Sequence, residues 1–304
     1  MKQPTVSVNE YDFLLNDRVQ KIKAMDEYGL LLNGYVSFSG GKDSTVVHYL
    51  MDMALPGNKM PRVYLNTGIE YKAVFDYVKR LAEKDKRIVI VRPSKNITET
   101  LEKVGYPFKS KEHSLYLSVF QNSGDTKTVK RYLGRSDRRF SCPKVLRYQF
   151  TEGGVPFKVS NKCCDELKKK PAERWAKENG KTIAITGMRK AEGGLRQSMS
   201  GCAVFADKDC KSLKKFHPLF PVEDWWIDEF IKRNGIELCE LYEPPFNFKR
   251  TGCKGCPFSV DLQAQLDKMA ALLPAERRQC ESIWGKVYAE YRRINYRLEK
   301  TLFD

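Results

Sequence analysis

Short runs of β-branched and aliphatic residues alternate, along the first third of the chain, with stretches of helical apolar spacing. The apolar runs predict strands at 34–38, 62–66 and 87–92. The helical spacing predicts helices at 9–30 (with Phe13 on its core face), from Thr45 onward and at 71–84. Strands that are apolar throughout and separated by helices are typical of a parallel sheet covered on both faces.

The middle of the chain continues this alternation less regularly. A charged helix at 165–178 leads to a fourth predicted strand at 182–186, and another helix is predicted at 224–233. Between them, residues 197–216 are interpreted as a polar insert that carries Cys202 and Cys210.

Beyond Phe258 an apolar stripe at helical spacing predicts a helical C-terminal segment. We therefore expect an α/β fold with a doubly wound, mostly parallel sheet in residues 1–245. Residues 246–304 are expected to form a second part, which contains a Cys-x-x-Cys turn and the helical extension.

The first predicted strand runs into a turn of small residues, Ser-Gly-Gly-Lys-Asp-Ser, which begins the next helix. Glycines let a backbone approach phosphate oxygens, and the free N–H groups of a helix start point at them. Lys42 adds a positive charge, and Asp43 could orient Mg²⁺ or cap the helix. The spacing is neither that of a Walker loop nor that of a dinucleotide-binding glycine motif. The residues expected to bind nucleotide in this phosphate loop are Ser39, Gly40, Gly41, Lys42, Asp43 and Ser44.

Polar residues also follow the second and fourth predicted strands. Because the carboxyl ends of parallel strands meet at one edge of a sheet, we expect these residues to join the phosphate loop. Arg189 and Arg196 are suited to neutralise phosphate, although both could instead form surface salt bridges with Glu192. The further residues expected to bind nucleotide are Thr67, Gly68, Glu70, Gly187 and Arg189.

The nine cysteines include two notable pairs. Cys163 and Cys164 are adjacent, and Cys253 and Cys256 form a Cys-x-x-Cys on a glycine-containing turn. Adjacent cysteines rarely make a good disulfide, because their Cα atoms are too close. Four thiolates suit either a 4Fe–4S cluster or a structural zinc ion, and the Cys-x-x-Cys by itself could be a redox dithiol.

The formal net charge of +16 predicts a polyanionic partner. Much of it lies between Lys127 and Arg147, where Tyr132, Phe140 and Tyr148 are interleaved with basic residues, as in surfaces that hold phosphates and stack bases. The alternative is a solvated basic face. No apolar run reaches about 18 residues, and the N-terminus lacks the apolar core of a secretory signal. We therefore expect a cytoplasmic protein that does not enter a membrane.

These motifs together resemble a known family. The phosphate loop is similar to the signature of the PP-loop ATP pyrophosphatases, and the segment from Gly34 to Phe258 resembles their phosphoadenylyl-sulfate (PAPS) reductase branch. The resemblance implies an adenine nucleotide alpha hydrolase-like fold. In bacterial adenylyl-sulfate reductases of this branch, a Cys-Cys pair and a later Cys-x-x-Cys hold a 4Fe–4S cluster beside the nucleotide. It thus implies that the cluster ligands are Cys163, Cys164, Cys253 and Cys256.

Two departures from the reductases point to different chemistry. Their nucleophilic cysteine lies on a C-terminal Glu-Cys-Gly-x-His tail, whereas the last cysteine here, Cys280, lies in a predicted helix. Their phosphate loop is usually degraded, whereas the loop here keeps its lysine. The chain therefore resembles the iron–sulfur PP-loop enzymes of DNA phosphorothioation and tRNA thiolation. The expected cofactors are ATP, Mg²⁺ and a 4Fe–4S cluster, and the expected catalytic residues are Lys42, Asp43, Arg189 and Arg196.

The sulfur-insertion hypothesis implies DNA or tRNA as the acceptor, a sulfur donor such as a cysteine desulfurase, and self-association into a homo-oligomer. One alternative is a sulfite-producing reductase fed by thioredoxin, with Cys280 or a cysteine of the polar insert as nucleophile. Another is a non-catalytic nucleic-acid-binding subunit with a regulatory nucleotide site. Cys142, beside the basic segment, is interpreted either as a persulfide acceptor or as a small buried residue.

Overall fold

The computed structural model describes residues 8–134, 141–199, 201–207 and 213–300. These residues divide into two compact units that are discontinuous along the chain. The first unit comprises the described residues of Met1–Asn66, Lys72–Arg92 and Ala172–Gly252. The second comprises those of Thr67–Tyr71, Pro93–Pro171 and Cys253–Asp304. The boundary expected at 245/246 falls within the first unit's last segment, and that division stays a prediction.

The secondary structure of the described residues begins and ends as follows. The strands are β1 (Gly34–Ser37), β2 (Arg62–Leu65), β3 (Ile88–Val91), β4 (Ile183–Ile185), β5 (Ala203–Phe205) and β6 (Leu213–Phe216). The α-helices are α1 (Val8–Glu27), α2 (Lys42–Ala54), α3 (Lys72–Lys84), α4 (Ile97–Val104), α5 (Lys111–Ser123), α6 (Lys127–Gly134), α7 (Lys170–Glu178), α8 (Asp224–Arg233), α9 (Leu262–Leu272) and α10 (Pro274–Arg293).

The sheet of the first unit has the strand order β3-β2-β1-β4-β6-β5. Every neighbouring pair is parallel except β5 and β6, which pair antiparallel at one edge. The chain builds outward from β1 to β3 on one side and then returns to the other side with β4. The mostly parallel, doubly wound sheet is thereby confirmed, and its order reverses between β1 and β4, the place where such sheets bind ligands.

The structure corrects the interpretation of residues 197–216 as a polar insert. The described residues of this segment contribute two strands, β5 and β6, to the sheet. β6 buries Leu213 and Phe216 and exposes the two lysines between them. Two buried positions in four residues are too few to distinguish a strand from a solvated loop by pattern. Pairing with β4 provides the burial that the local sequence does not indicate.

The core of the first unit lies between the sheet and helices α1, α2 and α8. Trp226 of α8 is fully buried and stacks on Tyr11 and on Phe230, with ring centroids 5.6 and 5.2 Å away. Trp226 is therefore a core residue of this unit. The apolar face of α2 is buried through Val46, Val47, Leu50 and Met51, as its spacing predicts.

The second unit is helical apart from short turns. Its polar centre is His113, whose ring nitrogens bond Tyr132 Oη at 2.9 Å and Gln149 Oε1 at 2.7 Å. The predicted helix at 165–178 begins as a single π-helical turn, Asp165–Lys169, before it continues as α7. Such turns are rare and often mark functional sites. Among the described helices, none is both long and apolar enough to cross a membrane.

Candidate nucleotide and metal-cluster sites

The phosphate loop joins β1 to α2 in the first unit, at the reversal of the strand order. Gly40 has a φ of +69°, and a Cβ atom built on it would lie 2.7 Å from Val78 Cγ2 and 3.0 Å from Val74 Cγ1. The loop backbone therefore packs directly on α3. A positive φ and this close approach are both tolerated without strain only by glycine.

The two serines of the loop bond each other and the loop backbone. The backbone N–H of Ser39 donates to Ser44 Oγ at 3.1 Å, and Ser44 Oγ donates to the carbonyl of Gly41 at 2.9 Å. The two hydroxyl oxygens are 3.0 Å apart. These bonds hold the turn in shape, and nucleotide binding by Ser39 and Ser44 stays a prediction.

The start of α2 has no side-chain cap, because its N-cap residue is Gly41. The capping role offered for Asp43 is therefore not seen. The first helical N–H, that of Lys42, donates to Tyr242 Oη at 3.1 Å. The ammonium of Lys42 lies 2.8 Å from a carboxylate oxygen of Asp228, an exposed ion pair that water and salt weaken.

Arg189 follows β4 and is only 5% exposed. Its Nε lies 2.9 Å from Asp43 Oδ1, and its Nη2 lies 2.6 Å from Asp224 Oδ1. Its third nitrogen, Nη1, is buried with no hydrogen-bond partner among the described residues. Burial raises the pKa of Asp43, and the adjacent Arg189 guanidinium partly offsets that rise. Gly187 permits this approach, since a Cβ there would lie 2.9 Å from the carbonyl carbon of Asp43.

Arg196 does not join Arg189. Its Nη1 pairs with Glu192 Oε1 at 3.1 Å, and Arg250 Nη2 reaches the same oxygen at 2.8 Å. Arg196 therefore forms the salt bridge with Glu192 that the sequence offered as the alternative to phosphate binding. The backbone N–H of Arg189 donates a hydrogen bond to the carboxylate of Glu192 at 3.3 Å.

Tyr242 and Thr251 are site residues that the sequence did not suggest. The hydroxyl of Tyr242 lies 2.7 Å from that of Thr251, and both lie against Gly41 of the phosphate loop. Thr251 lies two positions before Cys253 and could have been noticed there. A single tyrosine 200 positions from the loop gives no signal in one sequence.

The four cysteines of the two pairs belong to the second unit. Cys163 and Cys164 immediately precede the π-helical turn, and their Sγ atoms are 4.0 Å apart. Burial raises the pKa of Cys253, and burial together with the charge of Cys253 raises that of Cys256 to about 12. Within the adjacent pair, the hydrogen bond between the two thiols raises the pKa of Cys163 and lowers that of Cys164. The four thiols therefore influence one another electrostatically.

Glu70 and Thr67 lie beside the cysteines in this unit. Glu70 accepts hydrogen bonds from the backbone N–H of Thr67 at 3.0 Å and from its hydroxyl at 2.9 Å. Lys168 Nζ lies 3.2 Å from Glu70 Oε1 and also bonds Cys253. Gly68, with a φ of +81°, forms the turn between them. The structure thus places these three residues, which the sequence suggested for nucleotide binding, in the cysteine environment.

The four thiols are a donor set for a metal centre, and their spacing is wider than a single bound zinc ion requires. Among the described residues, no three of the four cysteine sulfurs lie within 4.8 Å of one another. A tetrahedral zinc ion with bonds of about 2.3 Å would hold all four sulfurs within about 4 Å of each other. A 4Fe–4S cluster places iron and sulfide between its ligands and accepts a wider set.

Helix α10 fixes the Cys-x-x-Cys turn by bonding its carbonyl oxygens. Trp284 Nε1 donates to the carbonyl of Lys254 at 3.2 Å, Tyr288 to that of Gly255, and Tyr291 to that of Pro257 at 2.9 Å. These three carbonyl oxygens of the turn therefore have hydrogen-bond donors on the helix.

Comparison with known families decides the relationship. The model of the phosphoadenosine phosphosulfate reductase domain matches residues 33–138 and 126–259. The chain belongs to this family. Helix α10 lies beyond the matched region.

Individual relatives are distant. An uncharacterized protein of Methanocaldococcus jannaschii is 24% identical over 230 residues, which is 75% of this chain and 42% of that protein. The chain thus spans less than half the length of this curated relative. The PAPS reductase of Candida auris in its phosphate complex has a TM-score of 0.46 at 15% identity, covering 83% of this chain and 98% of that one. The U34-tRNA thiolase NcsA of Methanococcus maripaludis, with its [4Fe–4S] cluster, has a TM-score of 0.41 at 15% identity, covering 96% and 84%.

Reductases of this family need a reactive thiol, and most remaining cysteines of the chain are buried. Cys142 is 2% exposed, and Cys239 and Cys280 are fully buried. Burial raises the pKa of Cys280 to about 12. Cys202 is half-buried, and Cys210 lies outside the described residues.

The described part of the basic segment has its charges on the surface, but one of its aromatic residues is buried. Lys127, Arg131, Lys144 and Arg147 are exposed, whereas Tyr132 is 1% exposed and packs against His113. The base-stacking interpretation of Tyr132 is therefore wrong. Arg135, Arg138, Arg139 and Phe140 lie outside the described residues.

Proposed function

We propose that this chain is an ATP-dependent sulfur-insertion enzyme that adenylates an oxygen of a nucleic acid and carries a four-cysteine 4Fe–4S cluster. One observation carries the nucleotide part of the proposal. Arg189 has a buried Nη1 without an acceptor, and its other two nitrogens are fixed by Asp43 and Asp224. A buried guanidinium donor without a partner is costly unless a ligand supplies the acceptor.

The intact phosphate loop supports ATP as that ligand. Its helix start lacks a side-chain cap, and the positive end of the helix dipole there favours phosphate. Lys42 can exchange its exposed partner Asp228 for phosphate at little cost, because such a surface pair is worth about 1 kcal/mol or less. Arg189 Nη1 would then donate to the α-phosphate, where negative charge builds up in the reaction.

Asp43 fits the requirement of a single Mg²⁺ ion. Magnesium in nucleotide sites commonly takes one or two carboxylates together with substrate phosphates. Arg189 occupies Oδ1 of Asp43, so the second oxygen is the one suited to the cation.

The proposed chemistry has two displacements. An oxygen of the acceptor attacks the α-phosphorus of ATP, and the bond to the β-phosphate breaks to release pyrophosphate. A sulfide then attacks the adenylated acceptor, and the former acceptor oxygen leaves with AMP. One oxygen is exchanged for one sulfur, and no net oxidation or reduction of the acceptor is required.

The cluster, when bound, would supply a platform for sulfide or thiolate sulfur. The residues that would hold it are Cys163, Cys164, Cys253 and Cys256. Burial of Lys168 opposes its charge, but Cys253 and Glu70 raise its pKa, so that its ammonium offsets the thiolate charge. Helix α10 keeps the Cys-x-x-Cys turn in one conformation.

The exposed basic residues of α6, together with the exposed Lys144 and Arg147, support a nucleic-acid acceptor. Phosphate contacts from lysine and arginine supply affinity without sequence information. Since Tyr132 is buried, this surface is suited to the backbone of the acceptor rather than to its bases.

The activity in the family's name, reduction of a sulfonucleotide to sulfite, is the alternative function. It requires a nucleophilic thiol, and the described residues offer Cys202 but not Cys280, which is buried with a raised pKa. A sulfonucleotide has no β- and γ-phosphates for the intact phosphate loop to bind.

Product analysis separates the two functions. Anaerobically prepared protein is given ATP, sulfide and DNA or tRNA in one assay, and adenylyl sulfate with thioredoxin in another. The proposal predicts pyrophosphate in the first assay and no sulfite in the second. Arg189→Lys keeps the charge but not the planar fork, and is expected to lower pyrophosphate formation at least about tenfold. The control Arg80→Lys, at an exposed site, should leave pyrophosphate formation unchanged. Sulfite without pyrophosphate would refute the proposal.

A further inference from the structure

The hydroxyls of Tyr242 and Thr251 lie directly against the phosphate loop. Tyr242 Oη is 3.1 Å from the backbone nitrogen of Lys42 and 2.7 Å from Thr251 Oγ1. A Cβ atom built on Gly41 would lie 3.3 Å from Tyr242 Oη and 3.4 Å from Thr251 Oγ1. An acceptor oxygen thus already sits at the first N–H of α2, where a bound phosphate oxygen is expected.

The protons of this pair do not all find acceptors. Tyr242 Oη accepts the N–H of Lys42, and one of the two hydroxyls donates to the other. Two hydroxyls carry two protons, so one proton remains whichever group donates in the mutual bond. Among the described residues, no hydrogen bond takes it up. The remaining donor lies at a helix start beside an exposed ammonium, an environment that favours a negatively charged acceptor.

The setting keeps Tyr242 a donor rather than an anion. Burial raises the pKa of Tyr242 above its usual value near 10, so the hydroxyl is protonated at neutral pH. Lys42 Nζ lies 5.7 Å from the centroid of the tyrosine ring, so the ammonium that would bind phosphate rests over the same side chain. The loop, the lysine and the hydroxyl pair therefore form one local arrangement within the first unit.

Resting on the proposed function, we propose that Tyr242 and Thr251 bind the γ-phosphate of ATP and select a triphosphate over a sulfonucleotide. The spare hydroxyl proton donates to an oxygen of that γ-phosphate. AMP ends at its α-phosphate, and adenylyl sulfate ends at the sulfate in the β-position, so both leave this donor unused. The pair thus supplies a specificity that the family's name does not describe.

The test removes the hydroxyls and measures ligand affinity on the full chain. Dissociation constants for ATP, AMP and adenylyl sulfate are determined calorimetrically for the wild type, Tyr242→Phe and Thr251→Val. Loss of a hydrogen bond to a charged group is expected to weaken ATP binding about tenfold to a hundredfold, with AMP and adenylyl sulfate unchanged within about twofold. Tyr28→Phe, at an 81% exposed tyrosine of the same unit, is the matched control and should change nothing.

Two results would overturn the inference. Equal weakening of ATP and AMP would show that the pair only shapes the loop, and unchanged ATP affinity in both variants would show that it contacts no phosphate. Thermal melting of each variant verifies folding, and Thr251→Ser, which restores a hydroxyl, should recover ATP affinity in a folded protein. Failure of the proposed function is a separate result, since a wild type that binds ATP but releases no pyrophosphate would leave this selectivity intact.

Discussion

The phosphate loop and the Cys-x-x-Cys turn are both short, glycine-containing turns, but different parts of the chain hold them. The phosphate loop is closed by bonds between Ser39, Gly41 and Ser44, all within five positions of one another. The carbonyls of the cysteine turn are bonded by aromatic residues of α10, 30 to 34 positions later. The phosphate loop is thus closed by bonds within itself, whereas the conformation of the cysteine turn depends on a helix that follows later in the chain.

This difference predicts that the cysteine turn is the more sensitive of the two to a single added methyl group. Gly255 has a φ of +58°, and a Cβ atom there would lie 2.8 Å from Cys280 Sγ and in contact with Tyr288 Oη. We expect Gly255→Ala to reduce iron bound per chain at least about tenfold, because both backbone strain and overlap with α10 oppose the native turn. The iron bound per chain is measured by metal and sulfide analysis of anaerobic preparations.

Gly285→Ala is the matched control for that change. Gly285 lies on α10 itself, and a Cβ atom there would have no neighbour within 4 Å. Alanine in a helix interior is slightly favourable, so iron content should be unchanged. Full iron occupancy in Gly255→Ala would contradict the account of this turn.

The phosphate loop is expected to respond strongly but locally. Gly40→Ala should weaken ATP binding at least about tenfold, because a Cβ atom would overlap Val78 and displace the loop. Gly57→Ala is the matched control, with a φ of +74° and open space around the Cβ position. Both variants share a strain of about 1–2 kcal/mol, so only Gly40→Ala should lose ATP affinity. Equal affinities, measured by calorimetry, would refute the close packing on α3.

A smaller effect is expected when one of the distant supports is removed. Tyr291 donates to the carbonyl of Pro257 at 2.9 Å and accepts the N–H of Lys109 at 2.7 Å. Tyr291→Phe leaves the N–H of Lys109 without its acceptor and removes one of the two donors to the carbonyl of Pro257, the other being Arg297. It should cost about 1–3 kcal/mol, seen as a lower melting temperature and faster loss of iron to a chelator. Tyr116→Phe, which removes a hydroxyl from the same unit, is the control. Identical chelation rates would show that α10 does not secure the turn.

The two units should also share a gradual response to acid. All three histidines are buried, and burial lowers the pKa of His48, His113 and His217 to about 4. Between pH 6.5 and 4 the unfolded chain binds protons that the folded chain does not. Stability is therefore complete above pH 6.5 and falls as the pH drops, by at most about 1.4 kcal/mol per pH unit for each histidine. A melting temperature constant from pH 7 to 5 would contradict this.

The same contrast explains what could be predicted from the sequence. Local patterns predicted the family and the strands that precede the phosphate loop and Arg189. These predictions are confirmed. The core role of Phe13 is wrong: Phe13 is 70% exposed and Tyr11, two positions away, is buried. Helical spacing allows either face, and only the packing of Trp226 on Tyr11 selects one.

The parts that the sequence did not reveal depend on long-range contacts. Tyr242 meets Lys42 across 200 positions, and Trp284 meets Lys254 across 30. Neither contact has a motif, because hydroxyl and indole donors are common in packed cores. The role of Glu70 in nucleotide binding stays a prediction, and its ion pair with Lys168 is another contact that no motif indicates.

The central claim, that ATP is cleaved between its α- and β-phosphates to activate a nucleic acid, is tested most directly by isotope exchange between labelled pyrophosphate and ATP. The account predicts exchange that requires DNA or tRNA and Mg²⁺, and that falls at least about tenfold in Lys42→Ala. No exchange with either nucleic acid, in a preparation that releases sulfite from adenylyl sulfate, would contradict it.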